Sequence, residues 1–198
     1  MTKRLHPAQS LGGLIDVQDF FLAAVEPALR PALVTNIANL ARLLDYFRIP
    51  VIATCERPLA EKGALPTAIA KRLGGHATIF EKDFFDLTRE KKIRDHLRRL
   101  RKRQVILAGC ESDVCVLQSC LGLIDLHFEV YVVEDLVFSS SSNVDAALAR
   151  MAAEGAVLVT YKSLYYELLG AVGDSDHAQK LIETFGPFPD DLPDCALA

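Results

Sequence analysis

The chain has 198 residues, 51% of them apolar and 24% charged, with a formal net charge of −4. That length and balance suit one globular core and exclude a disordered chain. The slight acidity gives no general attraction to nucleic acid or to an anionic membrane surface.

Apolar runs alternate with helical patterns from the start. The N-terminal MTKRLHPAQS has no apolar signal core behind it, and no stretch approaches the ~20 apolar residues needed to span a bilayer. The expected compartment is therefore the cytoplasm. LGGLIDV (11–17) reads as the first strand, closing on Asp16 and followed by Gln18. From about Pro27 to Arg48, Val34, Ile37, Leu40, Ala41, Leu44 and Phe47 recur at three-and-four spacing, which predicts one apolar helix face. IPVIATC (49–55) and ATIFEK (77–82) predict the second and third strands, leading to Glu56 and ending in Lys82.

A helix beginning near Thr88 leads to a fourth strand, QVILAGC (104–110). CVLQSCLGLIDLH (115–127) is apolar nearly all round and predicts a buried helix. FEVYVVED (128–135) is the fifth strand, before the serines Ser139 to Ser142. Asn143 suits an N-cap for VDAALARMAAE, and Gly155 a stop. AVLVT (156–160) is the sixth strand, with helical segments near 163–172 and 176–185. The proline-rich GPFPDDLPDCALA, from about 186, reads as an irregular tail. Six strands with helices between them predict an α/β fold, a three-layer α/β/α sandwich around a doubly wound parallel sheet. No repeat or linker divides residues 1–198, so a single domain is expected.

Open sheets of this kind bind ligands beyond the carboxyl ends of their strands. That rule picks out Asp16, Glu56, Lys82 and the stretch from Cys110 to Cys115. Cys115 stands where a loop meets a helix, and free N–H groups there would lower a thiol pKa from ~8.5. Taken alone, Cys115 reads equally well as a buried apolar residue. Asp16 alone reads as a helix cap, and Lys82 alone as a surface lysine. The five cysteines form no CxxC, and the histidines (6, 76, 96, 127 and 177) are scattered, so no metal site is expected. No glycine-rich phosphate motif points to a nucleotide cofactor.

Three ordered segments now weigh together: LIDVQDF (14–20), FEKDFF (80–85) and AGCESDVCVLQS (108–119). They resemble the signature stretches of the isochorismatase-like cysteine hydrolases, and EVYVVEDLVFSS (129–140) is similar to the strand that follows in that family. The resemblance implies Cys115 as nucleophile, Asp16 as general base and acid, and Lys82 as supporting cation. It also implies a cis peptide at Cys110–Glu111 that turns the Glu111 N–H toward an oxyanion, beside the N–H of Cys115. Gln18, Phe20, Glu56, Phe84, Phe85 and Ser112 become candidate pocket residues, Ser112 standing where the family often has threonine. Nicotinamidases of this superfamily carry an Asp-x-His metal motif after the second strand. Here that stretch is ATCERPLAEKG (53–63), without histidine, and the Glu and Pro are closer to the small isochorismatase-domain-containing proteins.

The expected function is cofactor-independent hydrolysis of a small amide or related carbonyl compound through a thioester. The resemblance and the apolar fraction imply a homo-oligomer. Two other readings stay open: a catalytically idle family member with a structural or interaction role, and an RNA-associated protein. The second rests on REKKIRDHLRRLRKR (89–103), nine of whose fifteen residues are basic. Ile93, Leu97 and Leu100 keep an apolar stripe through it and no aromatic side chains are interleaved for stacking, so a solvated helix face is the simpler expectation.

Overall fold

The computed structural model describes residues 3–142, 144–170 and 176–185; Asn143, the tail from 186 and Cys195 lie outside the described residues. In chain order the elements are β1 (Ser10–Ile15), α1 (Asp19–Leu22), α2 (Arg30–Tyr46), β2 (Val51–Glu56), α3 (Leu59–Lys62), α4 (Thr67–Ala70) and β3 (Ala77–Lys82). There follow α5 (Lys91–Leu100), β4 (Gln104–Cys110), a π-helical turn (Ser112–Val116), α6 (Leu117–Asp125) and β5 (Glu129–Phe138). The last are α7 (Val144–Ala153), β6 (Val157–Val159), α8 (Tyr161–Leu169) and α9 (Asp176–Phe185).

Among the described residues the strands form one six-stranded sheet of order β3-β2-β1-β4-β5-β6, and every pairing is parallel. Strand order reverses between β1 and β4, so a crevice opens beyond their carboxyl ends. Successive residues of a strand point to opposite faces, and here both faces are covered. Leu14, Ile106, Ala108 and Val133 face a core built with α2, α4 and α8. Leu11, Ile15, Val105, Leu107 and Val132 face a second core built with α5, α6 and α7. That double burial explains why β4 is an unbroken apolar run rather than an alternating one. No described helix is long and apolar enough to cross a membrane.

Several boundaries differ from the sequence expectation. β1 ends at Ile15, because Asp16 turns the chain with a left-handed φ of 46°, a conformation that aspartate tolerates better than a branched residue. β5 continues through Leu136, Val137 and Phe138, all buried, since the apolar run resumes beyond Glu134 and Asp135. Cys115 does not open a regular α-helix; it lies within the π-helical turn, and α6 begins two residues later. Gly109 holds φ 119°, and a Cβ there would lie 2.0 Å from the Ile15 carbonyl oxygen, so only glycine lets β4 pass β1 this closely.

Candidate active site

The turn at Asp16, the last residue of β3 and the turn after β4 deliver one group each to the crevice. The Lys82 ammonium pairs with Asp16 Oδ2 at 2.6 Å and lies 3.5 Å from Glu56 Oε2. It also donates to Cys115 Sγ at 3.4 Å. The Cys115 thiol donates to Glu56 Oε2 at 3.2 Å. Asp16 and Lys82 are 0% exposed and Cys115 2%. Burying two charges this deeply requires mutual compensation, and the ammonium supplies it by touching every acceptor around it.

Further partners fix the geometry. The Thr54 hydroxyl donates to Asp16 Oδ1 at 2.8 Å, which sets the carboxylate plane. Lys62, at the end of α3, pairs with Glu56 Oε1. Gln18 is buried and braces Glu56 from behind: its Oε1 accepts the Glu56 N–H at 2.7 Å, while its Nε2 donates to the Glu56 and Gly63 carbonyls at 3.1 and 2.7 Å. The Cys110–Glu111 peptide is cis, and the Cys110 thiol donates to the Asp16 carbonyl at 3.0 Å. The Glu111 carbonyl accepts the N–H groups of Val114 and Val116 at 3.1 and 3.0 Å, with Cys115 between them.

Burial also decides the protonation states. It pushes the Asp16 carboxyl up, with Lys82 and Thr54 pulling it partly back. It opposes the Lys82 ammonium too, but Asp16, Cys115 and Glu56 outweigh it, and Lys82 is held above its ordinary value. For Glu56 burial again disfavours charge; the ion pair with Lys62, the Cys115 thiol and Lys82 prevail and keep it below the usual carboxylate range. The thiol reverses the sequence expectation. Burial and then the Asp16 charge drive the Cys115 pKa far up, Glu56 adds to this, and Lys82 does not offset them. A helix end lowers a thiol pKa only where the thiol stays solvated and free of neighbouring anions. Burial and the hydrogen bond from Sγ to Glu56 Oε2 thus both favour the protonated thiol.

Asp16, Glu56 and Cys115 offer ligand atoms within 4.8 Å of one another, a spacing that could hold a metal ion. The Lys82 ammonium lies within 3.5 Å of a ligand atom of each, so its positive charge occupies the space between them.

The other sequence candidates are placed as follows. Ser112 is buried, and its hydroxyl has no hydrogen-bond partner among the described residues. Phe20, Phe84 and Phe85 are exposed, at 56%, 40% and 54%, and do not wall an enclosed pocket. Phe84 lies under the Arg89 guanidinium, 4.6 Å from its ring centre. Phe84 and Phe85 line a cleft of about 360 Å³ together with Asp113, Val114 and Gln118. Cys110 and Cys120 are fully buried. On α5, Ile93 and Leu97 are buried while Lys91, Lys92, Arg98 and Arg99 face outward.

Sequence reasoning missed three contributors. Thr54 left the signal of one hydroxyl inside an apolar strand. Lys62 left none, because its role depends on how residues 57–63 fold back. The serine loop, whose sequence suits either a solvated loop or a substrate contact, grips the turn that carries Cys115: Ser139 Oγ donates to Asp113 Oδ1 at 2.6 Å, and the Ser140 N–H donates to Glu111 Oε1 at 3.1 Å.

Known proteins share this arrangement of chain. Isochorismatase domain-containing protein 2 of Pongo abelii is 34% identical over 194 residues, covering 94% of this chain and 88% of its own. The MAR1 ribonuclease structure from Caenorhabditis elegans superposes with a TM-score of 0.86 at 28% identity, covering 99% of this chain and 97% of the other. The structure of YcaC from Pseudomonas aeruginosa, with hexane-2,5-diol and covalent acrylamide, gives 0.83 at 26% identity and covers 92% and 91%. The isochorismatase domain model matches residues 14–163. With its hydrolase fold and more than half its length matched, this chain belongs to the isochorismatase domain family.

Proposed function

We propose that the chain is a cofactor-independent cysteine hydrolase acting on a small amide or related carbonyl compound. Cys115 Sγ attacks the carbonyl carbon, and Asp16 takes the thiol proton as the C–S bond forms, then returns it to the leaving nitrogen or oxygen. The Asp16 carboxyl, raised by burial, is shifted in the direction that suits that task. Lys82 compensates the negative charge that appears on sulfur and carboxylate. The N–H groups of Glu111 and Cys115 receive the oxyanion. Collapse gives a thioester, and water then releases the acid. The observation that carries this reading is the single ammonium in contact at once with Asp16 (2.6 Å) and Cys115 (3.4 Å). The covalent acrylamide in the YcaC structure is in keeping with a nucleophile in a relative.

The test is Cys115→Ala and Cys115→Ser against a panel of small amides and esters. Loss of turnover in both, with the fold intact, is expected; full activity in Cys115→Ala refutes the mechanism.

A second reading, action on RNA, is favoured by the name of the C. elegans neighbour and by the outward cations of α5. It predicts RNA retardation that weakens steeply with salt. We expect none, because the apolar stripe of α5 is spent on the core and the catalytic cluster offers no histidine pair. Self-association, supported by the exposed phenylalanines, is checked by sedimentation.

A further inference from the structure

The two carboxylates that flank Cys115 differ in reach. Asp16 is 0% exposed, with Oδ1 accepting from the Thr54 hydroxyl at 2.8 Å and Oδ2, which has no hydrogen bond among the described residues, in ion-pair contact with Lys82 at 2.6 Å. Glu56 is the more accessible of the two, its side chain retaining 13% exposure. Glu56 Oε1 is committed to Lys62, whereas Oε2 has the Lys82 ammonium 3.5 Å away and accepts a 3.2 Å hydrogen bond from the thiol. The family resemblance gives both proton transfers to Asp16; the greater exposure of Glu56 marks it as the carboxylate open to incoming water.

We infer that Glu56, paired with Lys62, is the catalytic base of the second half-reaction, activating the water that hydrolyses the thioester, while Asp16 handles the thiol proton in the first. The inference rests on the cysteine-hydrolase reading and refines it.

Timing supports the assignment. At rest Oε2 is occupied by the S–H group. Acylation replaces that hydrogen with an acyl carbon, so Oε2 keeps the Lys82 ammonium at 3.5 Å and gains room for a water beside that carbon. The water oxygen bonds to the thioester carbonyl carbon, and its proton passes to Oε2. The tetrahedral adduct then collapses, breaking the C–S bond. The sulfur recovers a proton from Glu56 across the same 3.2 Å contact that the resting site displays. The sum is thioester plus water giving carboxylic acid plus thiol, with the Glu56 carboxylate restored. The surroundings keep this acceptor ready: although burial opposes its charge, Lys62 holds Glu56 ionised at neutral pH. Gln18 fixes the strand end that carries Glu56 and the Gly63 carbonyl next to Lys62, so base and counter-ion share one frame.

The experiment uses p-nitrophenyl acetate on the full chain, with nitrophenolate followed by stopped flow and acetyl-Cys115 by intact mass. In Glu56→Gln the burst is expected to keep its rate within about threefold. The steady state should fall by about 100-fold or more, the range for losing a general base, and acetyl-enzyme should accumulate. The acid limb of the steady-state pH profile should also vanish. Lys62→Met should lower the steady state and spare the burst, which serves as the test if Glu56→Gln does not fold. An unchanged steady state overturns the inference and leaves the hydrolase reading intact. A burst slowed in parallel with turnover, without accumulation, also overturns it, because Glu56 would then act before the thioester. Absence of acetyl-Cys115 in the unaltered chain defeats the parent reading and this inference together.

Discussion

The sheet buries polar groups at both ends, and the two clusters are built on different terms. At the amino ends of β1 and β4, Gln104 accepts the His6 N–H at 2.8 Å and the Ser10 hydroxyl at 3.2 Å. Its amide nitrogen donates to the Arg4 carbonyl at 2.7 Å and to Glu129 at 2.9 Å. The Gln104 side chain is neutral, its oxygen and nitrogen are both used, and nothing there is left to react. At the carboxyl ends, Asp16, Lys82 and Glu56 are charged, a thiol is wedged between them, and the buried Ser112 hydroxyl has no partner among the described residues. The first cluster is saturated and holds the chain; the second keeps capacity in reserve, which is what a chemical site requires.

Substitutions at the two ends should separate these roles. The largest effect is expected for Lys82→Met, which leaves Asp16 buried without its counter-ion. Removing one partner of a buried pair costs about 3–5 kcal/mol, and hydrolysis should become undetectable. Because Asp16 would then fold with a pKa raised still further, the penalty grows as pH rises through its unfolded value and recedes on acidification. Denaturant titrations of mutant and parent at two pH values measure this, and a stability gap that widens at low pH contradicts it.

Next in size is the pH dependence of alkylation at Cys115. With burial holding the thiol up, the iodoacetamide rate should still be climbing above pH ~8.5, about tenfold per unit. A plateau near neutrality would instead reveal a thiolate at rest. Gln104→Leu, at the other end, should cost about 1–3 kcal/mol through the polar groups it orphans, with turnover per folded molecule unchanged. If activity falls with it, the two ends are coupled and the contrast fails. The smallest effect belongs to Ser139→Ala. Loss of its bond to Asp113 should cost about 1 kcal/mol of stability and slow acylation a few-fold, seen as a change in the burst but not in the later steady state.

The sheet and its order of elements were legible because they depend on local pattern. Apolar runs such as QVILAGC, separated by helical periods, are enough to predict parallel strands buried on both faces, and the residues just beyond those runs fall at one edge. Asp16, Lys82 and Cys115 came from that rule together with the family resemblance. The rest is non-local. The sign of the Cys115 shift is a sum over burial and several charges, which no spacing along the chain encodes. Thr54 looks like any β-branched strand residue until Asp16 is opposite it. Lys62 becomes a partner of Glu56 only when the loop after β2 doubles back. The π-helical turn is hidden because its residues, Ser112 to Val116, read as the start of the helix that follows.

The ion pairing described around the sulfur has one more consequence. Asp16 and Glu56 are matched by Lys82 and Lys62, so with the thiol protonated these side chains sum to no charge. Those four charges by themselves project little long-range field. Capture of substrate should therefore vary little with ionic strength, and uncharged molecules should compete on equal footing, chosen by how they fit the crevice between β1 and β4.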